Sequence, residues 1–139
     1  MERIVVGVDG SEISRAALQW AVDEARRRTA TVEAIHVLHQ PFVYGYAYLA
    51  EVETDDYAEE AQKVLNEAIA AIDTTGVAVE PRVIAGGPSQ VLVEAAKGAD
   101  LLVVGSRGRG GFSGLLLGSV SQQVAHHAPC PVVIIPPAA

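Results

Sequence analysis

Two hydrophobic periods alternate along the chain. Ile4-Val5-Val6-Gly7-Val8 is a continuous, mostly β-branched run, the pattern of a central strand covered on both faces. Glu12 to Arg28 follows, with Ile13, Ala17, Trp20, Ala21 and Ala25 near helical spacing. It ends in Arg26-Arg27-Arg28, where a helix dipole favours cations. Thr31 to Leu38 reads as a second strand. Glu59 to Ile72 is the clearest helix, because Ala61, Val64, Leu65, Ala68, Ile69 and Ile72 form one apolar stripe. Val77 to Ile84 is a weaker strand, and its Pro81 suits a sheet edge better than a centre. Ser89 to Lys97 predicts a short helix, Leu101 to Val104 a buried strand, Ser119 to His127 a helix and Val132 to Ile135 a last strand.

Strands separated by helices imply parallel pairing with right-handed crossovers, hence an α/β fold, a three-layer α/β/α sandwich around an open five-stranded parallel sheet. The 139 residues are one domain's worth of chain, residues 1–139. One connection, His39 to Asp56, is long for such a domain. In an open parallel sheet, ligands bind at the carboxyl ends of the strands where the chain order reverses. If the chain winds outward from the first strand and then returns, the first and fourth strands are neighbours. Asp9-Gly10-Ser11 and the stretch from Gly105 then meet at one edge.

Composition narrows the partners. The chain is 50% apolar and 19% charged, a globular balance, and its formal net charge of −7 opposes nonspecific binding to nucleic acid or anionic lipid. Cys130 is the single cysteine, which excludes an intramolecular disulfide and a thiol-based zinc site. Met1-Glu2-Arg3 leads into an apolar run too short for a signal peptide, and no run approaches the ~20 apolar residues of a membrane span. A soluble cytoplasmic protein is expected. His36, His39, His126 and His127 are not spaced with a carboxylate as a ligand set, so no transition-metal site is expected.

The candidate chemistry lies in Val103 to Val124, VVGSRGRGGFSGLLLGSVSQQV, where six glycines fall between Gly105 and Gly118. Glycines permit a concave array of backbone N–H groups that binds anions. Ser119 opens a helix whose first-turn N–H groups add positive potential, Ser119 and Ser121 bring hydroxyls, and Arg107 and Arg109 bring charge. Together these describe a phosphate cradle. It is not a P-loop, since no lysine follows Lys97, and the G-x-G-x-x-G dinucleotide fingerprint fails at Ser113.

The spacing that does fit is Gly105, Gly108 and Gly118-Ser119, a G-x2-G-x9-G-[ST] pattern. It resembles the ATP-binding class of the universal stress protein family. The resemblance extends along nearly the whole chain, through IVVGVDGS at Ile4 to Ser11, His36-Val37, Gly87-Pro88, Asp100 to Gly105 and Cys130-Pro131-Val132. It implies a Rossmann-like, adenine nucleotide α-hydrolase-like sheet of order 3-2-1-4-5 and a homodimer paired through Val132 to Ile135. It also implies roles. Asp9 would contact the ribose or phosphate region, with Gly7 giving room, and Val37 would meet adenine through its main chain. Gly105, Ser106, Arg107, Gly108, Arg109, Gly110 and Gly111 would wrap the phosphates, and Gly118, Ser119, Val120 and Ser121 would close the far side. Mg²⁺ or Mn²⁺ would ride on the phosphates of ATP.

Tyr44, Tyr46 and Tyr48 alternate in the long connection as in an extended segment, either a lid over the adenine, a partner surface or a loop packed on its own domain. Phosphoryl transfer needs a positioned base or water-orienting group, and only Asp9 stands near the site as a carboxylate. The expected function is therefore a nucleotide-dependent regulator or sensor in the stress response. The alternatives are a slow ATPase, self-phosphorylation on Ser119 or Ser121, and a nucleotide-independent dimeric module.

Overall fold

The computed structural model describes residues 2–38, 47–107 and 117–138. Nine elements alternate: β1 (Glu2–Gly7), α1 (Glu12–Arg28), β2 (Ala30–Leu38), α2 (Ala47–Ala70), β3 (Val79–Ala85), α3 (Pro88–Ala95), β4 (Leu101–Gly105), α4 (Ser119–His127) and β5 (Val132–Ile135). The five strands form one parallel sheet of order β3-β2-β1-β4-β5. The chain reverses between β1 and β4, as the doubly wound reading expects.

Strand alternation divides the core into two layers. Ile4, Val6 and Val8 join Val32, Ala34, Leu101 and Val103 beneath Ala17, Leu18, Ala21 and Val22 of α1 and Leu65 and Ala68 of α2. On the other face Val5, Ile35, Leu102 and Val104 pack with Leu92 and Ala96 near α3 and with Val124 of α4. The strands buried on both faces are the ones with continuous apolar runs, for the expected physical reason.

Several boundaries differ from expectation. Helix α2 starts at Ala47 rather than Glu59 and takes in much of the long connection. Tyr48 is therefore helical, and the extended alternation does not hold there; Tyr44 and Tyr46 lie outside the described residues. The early turns of α2 are rich in alanine and glutamate, good helix formers that carry no obvious apolar stripe. Strand β3 starts at Val79 because Val77 belongs to a turn, in which its N–H bonds the Thr74 carbonyl at 3.0 Å and Gly76 sits at φ +78°. Helix α3 runs from Pro88 to Ala95, one residue earlier and two shorter at its ends than Ser89 to Lys97, and Pro88 needs no N–H acceptor in the first turn.

Candidate functional site

The loop after β1 is held by its own polar groups. Ser11 is the N-cap of α1, and its hydroxyl accepts the Ser14 N–H at 3.2 Å. One carboxylate oxygen of Asp9 accepts both the Ser11 N–H at 2.9 Å and the Ser11 hydroxyl at 2.5 Å. The Asp9 N–H donates to the Ser14 hydroxyl, which donates to the Ser11 carbonyl. Gly10, at φ +86°, makes the turn. Asp9 is thus a turn residue by observation, fixed at the carboxyl edge of the sheet where a ligand role would place it. Ser14 was not singled out in the sequence, because a serine inside an amphipathic helix carries no pattern signal.

Two glycines of this edge answer to packing. A Cβ on Gly105 would collide with Ile13 Cγ2, so the N-terminal turn of α1 lies directly over the end of β4. A Cβ on Gly7 would meet Leu92 Cδ1 at 3.0 Å. The space beside Gly7 therefore belongs to α3, which corrects the expectation that it makes room for a ligand.

Beyond β4 the chain is tied to α4. The Gly118 N–H and the Ser121 hydroxyl both donate to the Ser106 carbonyl, at 2.7 and 2.8 Å, and the Ser106 N–H donates to the Ile135 carbonyl at 2.8 Å. The Ser121 hydroxyl also lies 3.0 Å from the Gly118 carbonyl and is buried. It holds the strand–helix junction, a correction to its expected place among groups offered to a ligand; its main-chain N–H remains in the first turn. Ser119 opens α4 as its first helical residue. Gly118, with extended backbone at φ −78° and ψ 174°, is the cap, and its carbonyl accepts the Gln122 N–H at 3.0 Å. Gly118 brings no capping side chain, so the N–H groups of Ser119, Val120 and Ser121 begin the helix without intrahelical acceptors.

Ser106 completes this junction. Only 3% of it is exposed, and its hydroxyl is, among the described residues, the one buried side-chain polar atom with no hydrogen-bond partner. A buried unpaired hydroxyl costs about 1–3 kcal/mol, so an acceptor at this point would be favoured. Arg107 adjoins it. Gly108, Arg109, Gly110 and Gly111 lie outside the described residues.

The third part of the edge is the end of β2. Val8 donates its N–H to the Ile35 carbonyl at 2.8 Å, and Gly86 donates to the Leu38 carbonyl at 3.0 Å. Main-chain groups alternate along a strand, so Ile35 and Val37 turn theirs toward β1, and His36 and Leu38 toward β3. Pairing with β1 stops at Gly7 and Ile35. The N–H and C=O of Val37 therefore face the space beyond the end of β1. The Val8 carbonyl approaches Nδ1 of His36, at 2.7 Å. In the sequence His36 stood out as part of His36-Val37 in the family resemblance and as one of four histidines without a ligand set, with no sign of this contact.

Two open depressions lie elsewhere, one of about 560 Å³ at the strands' amino ends beside Glu2, Arg28, Thr29 and Asp100, the other on the outer face of α2. Neither adjoins the strand carboxyl ends, where α/β sheets bind ligands. Among the described residues no three His, Cys, Asp or Glu side chains gather as a metal site.

The model of the universal stress protein family matches residues 1–136. The chain belongs to that family. A universal stress protein of Mycolicibacterium smegmatis is 38% identical over 141 residues, covering 96% of this chain and 45% of its own length. The chain thus spans about half the length of the curated relatives it matches. Among solved structures, universal stress protein UspA from Lactobacillus plantarum superimposes with a TM-score of 0.84 at 26% identity, over 96% of this chain and 97% of that one. A universal stress protein crystallised in complex with cAMP is 31% identical, with a TM-score of 0.62 over 96% of this chain and 95% of that one. The universal stress protein architecture is therefore present with its sheet reversal intact, and Ser106, Gly118 and Val37 stand around that reversal.

Proposed function

We propose that this universal stress protein binds an adenine nucleotide, ATP in the first instance, and acts as a nucleotide-dependent regulator or sensor in the stress response and not as an enzyme. The observation that carries the reading is the junction of Ser106 with α4. A buried hydroxyl without an acceptor stands beside an uncapped helix start, where phosphate is favoured by both hydrogen bonding and the helix dipole. Ser106 and the main chain of Ser119, Val120 and Ser121 would hold the phosphates, with Gly105, Arg107, Gly108, Arg109, Gly110 and Gly111 as the rest of the expected wrap. Val37 offers a donor and an acceptor side by side, the complement of the N1 and N6 edge of adenine. The cAMP complex of the 31% identical relative supports an adenine nucleotide as the ligand class.

Mg²⁺ or Mn²⁺ would enter on the phosphates, a mode that asks for few protein ligands. Asp9 already accepts two bonds from Ser11, a turn-holding duty that speaks against its use as a general base. Pairing of two copies through β5 belongs to the same proposal.

Calorimetric titration with ATP and Mg²⁺ tests the reading, using wild type, Gly118→Ala and GTP as the competing base. Alanine accepts φ −78° and ψ 174°, so the cap backbone tolerates the added methyl. Binding by wild type, roughly tenfold loss in the variant and weaker binding of GTP are expected. Unaltered binding by Gly118→Ala would remove the site, and steady release of ADP over hours would make the protein an enzyme.

A further inference from the structure

The β1–β2 ladder ends one step before its geometry requires. After Val8 donates to Ile35, the next rung of a parallel ladder is the Val37 N–H to the Val8 carbonyl. Among the described residues that rung is not made, and the Val8 carbonyl faces Nδ1 of His36 at 2.7 Å. A carbonyl only accepts, so Nδ1 of His36 carries a proton. The contact runs from the end of β1, one residue before Asp9, to the residue preceding Val37.

We propose that His36 is a positioning residue for the nucleobase: its Nδ1–H engages the Val8 carbonyl, stops the ladder, and leaves the main chain of Val37 open as the donor–acceptor pair that reads the base. The inference rests on the nucleotide reading above and adds to it the residue that keeps the base end available. Without the imidazole, the Val8 carbonyl draws in the Val37 N–H and the strand zips one rung further. The base then competes with β1 for the same group. Asparagine places an amide nitrogen as many bonds from the backbone as Nδ1, so it alone among small polar replacements preserves the donor. Leucine keeps the bulk and removes it.

The test uses AMP as probe and tripolyphosphate as a control that lacks a base, with wild type, His36→Leu and His36→Asn, and follows amide hydrogen exchange at Val37. In nucleotide-free wild type the Val37 amide should exchange fast, and AMP should slow it. In His36→Leu it should exchange slowly without ligand, AMP affinity should fall about tenfold and tripolyphosphate affinity should hold. His36→Asn should restore both the fast exchange and the affinity. Should the leucine variant fail to fold, His36→Ala, which also removes the donor, serves as the loss variant. Equal AMP affinity and equally fast Val37 exchange in the loss variant overturn the role of His36 alone. An asparagine variant as weak as the leucine one overturns the donor argument. Wild type that takes no AMP overturns the nucleotide reading itself.

Discussion

On the proposed nucleotide reading, Ser106 trades stability against binding within one side chain. Its hydroxyl is buried without a partner, so Ser106→Ala removes a cost in the empty protein and an interaction in the bound one. Urea unfolding of the nucleotide-free variant should show stability equal to wild type or higher by up to about 1 kcal/mol, while ATP affinity falls. A variant that loses stability as well would mean that the hydroxyl has a partner in the empty state. Gly105→Ala is expected to fail differently. The added methyl meets Ile13, and overpacking of this kind costs about 1–3 kcal/mol; a companion Ile13→Ala should recover part of it. These residues also show where sequence reading stops. The spacing of Gly105, Gly108 and Gly118 was legible because it is periodicity-free punctuation at a fixed distance. That Ser121 turns inward to the Ser106 carbonyl, or that Ile13 presses on Gly105, depends on side-chain direction across elements distant in sequence.

At the scale of elements, ion pairs join strands and helices that the core alone leaves adjacent. Glu33 of β2 is buried and lies between Arg3 of β1 at 3.1 Å and Arg82 of β3 at 2.6 Å. Arg3 also donates to the carbonyls of Ala95 and Lys97, which ties the end of α3 to the sheet. Because Arg3 and Arg82 keep 32% and 46% of their side chains in solvent, neither is stranded when Glu33 loses its charge. Glu33→Gln should therefore cost only about 1–2 kcal/mol by urea unfolding, well below the loss from a fully buried pair. On α1, the hydrogen bond from Arg28, with Arg27 adding charge, holds the Glu24 carboxyl below its usual range. A depressed folded value contributes stability above the ordinary glutamate pKa and loses it as pH falls through the folded one. Glu24→Gln should thus flatten the acid side of a stability–pH profile from roughly pH 5 downward. The element order and the central strands were legible, since two-faced burial writes continuous apolar runs. The start of α2 was not. Its first turns lack an apolar stripe, and helix propensity by itself is a weak signal.

The whole molecule has two unlike edges. At β3, Glu80, Pro81 and Arg82 are exposed, and charges and a proline on an edge strand discourage strand addition. At β5, Val132, Val133, Ile134 and Ile135 are all partly buried and carry no charge. Leu102 donates to the Pro131 carbonyl and Ser106 to that of Ile135, so the main-chain groups of Val132 and Ile134 point outward. This asymmetry supports β5 as the seam of the proposed homodimer. Ile134→Pro deletes an outward N–H while sparing the bonds to β4, and a proline on an edge with its nitrogen facing solvent is tolerated. Sedimentation should find wild type dimeric and the variant monomeric with an unchanged circular dichroism spectrum; a variant that stays dimeric moves the seam elsewhere. The Ser106 N–H to Ile135 carbonyl bond gives the seam a physical link to the site, because one residue touches both β5 and the first turn of α4. If nucleotide shifts Ser106, it shifts the last residue of β5 with it. Coupling between two sites is reciprocal, so ATP should change the dimer dissociation constant by the same factor by which dimerisation changes ATP affinity, about 5–150-fold for ordinary coupling energies. Dimer dissociation measured with and without ATP, and ATP titration of the Ile134→Pro monomer, must then agree. Unequal factors would separate seam from site, and equal factors near unity would leave the protein a nucleotide binder without a switch in its assembly.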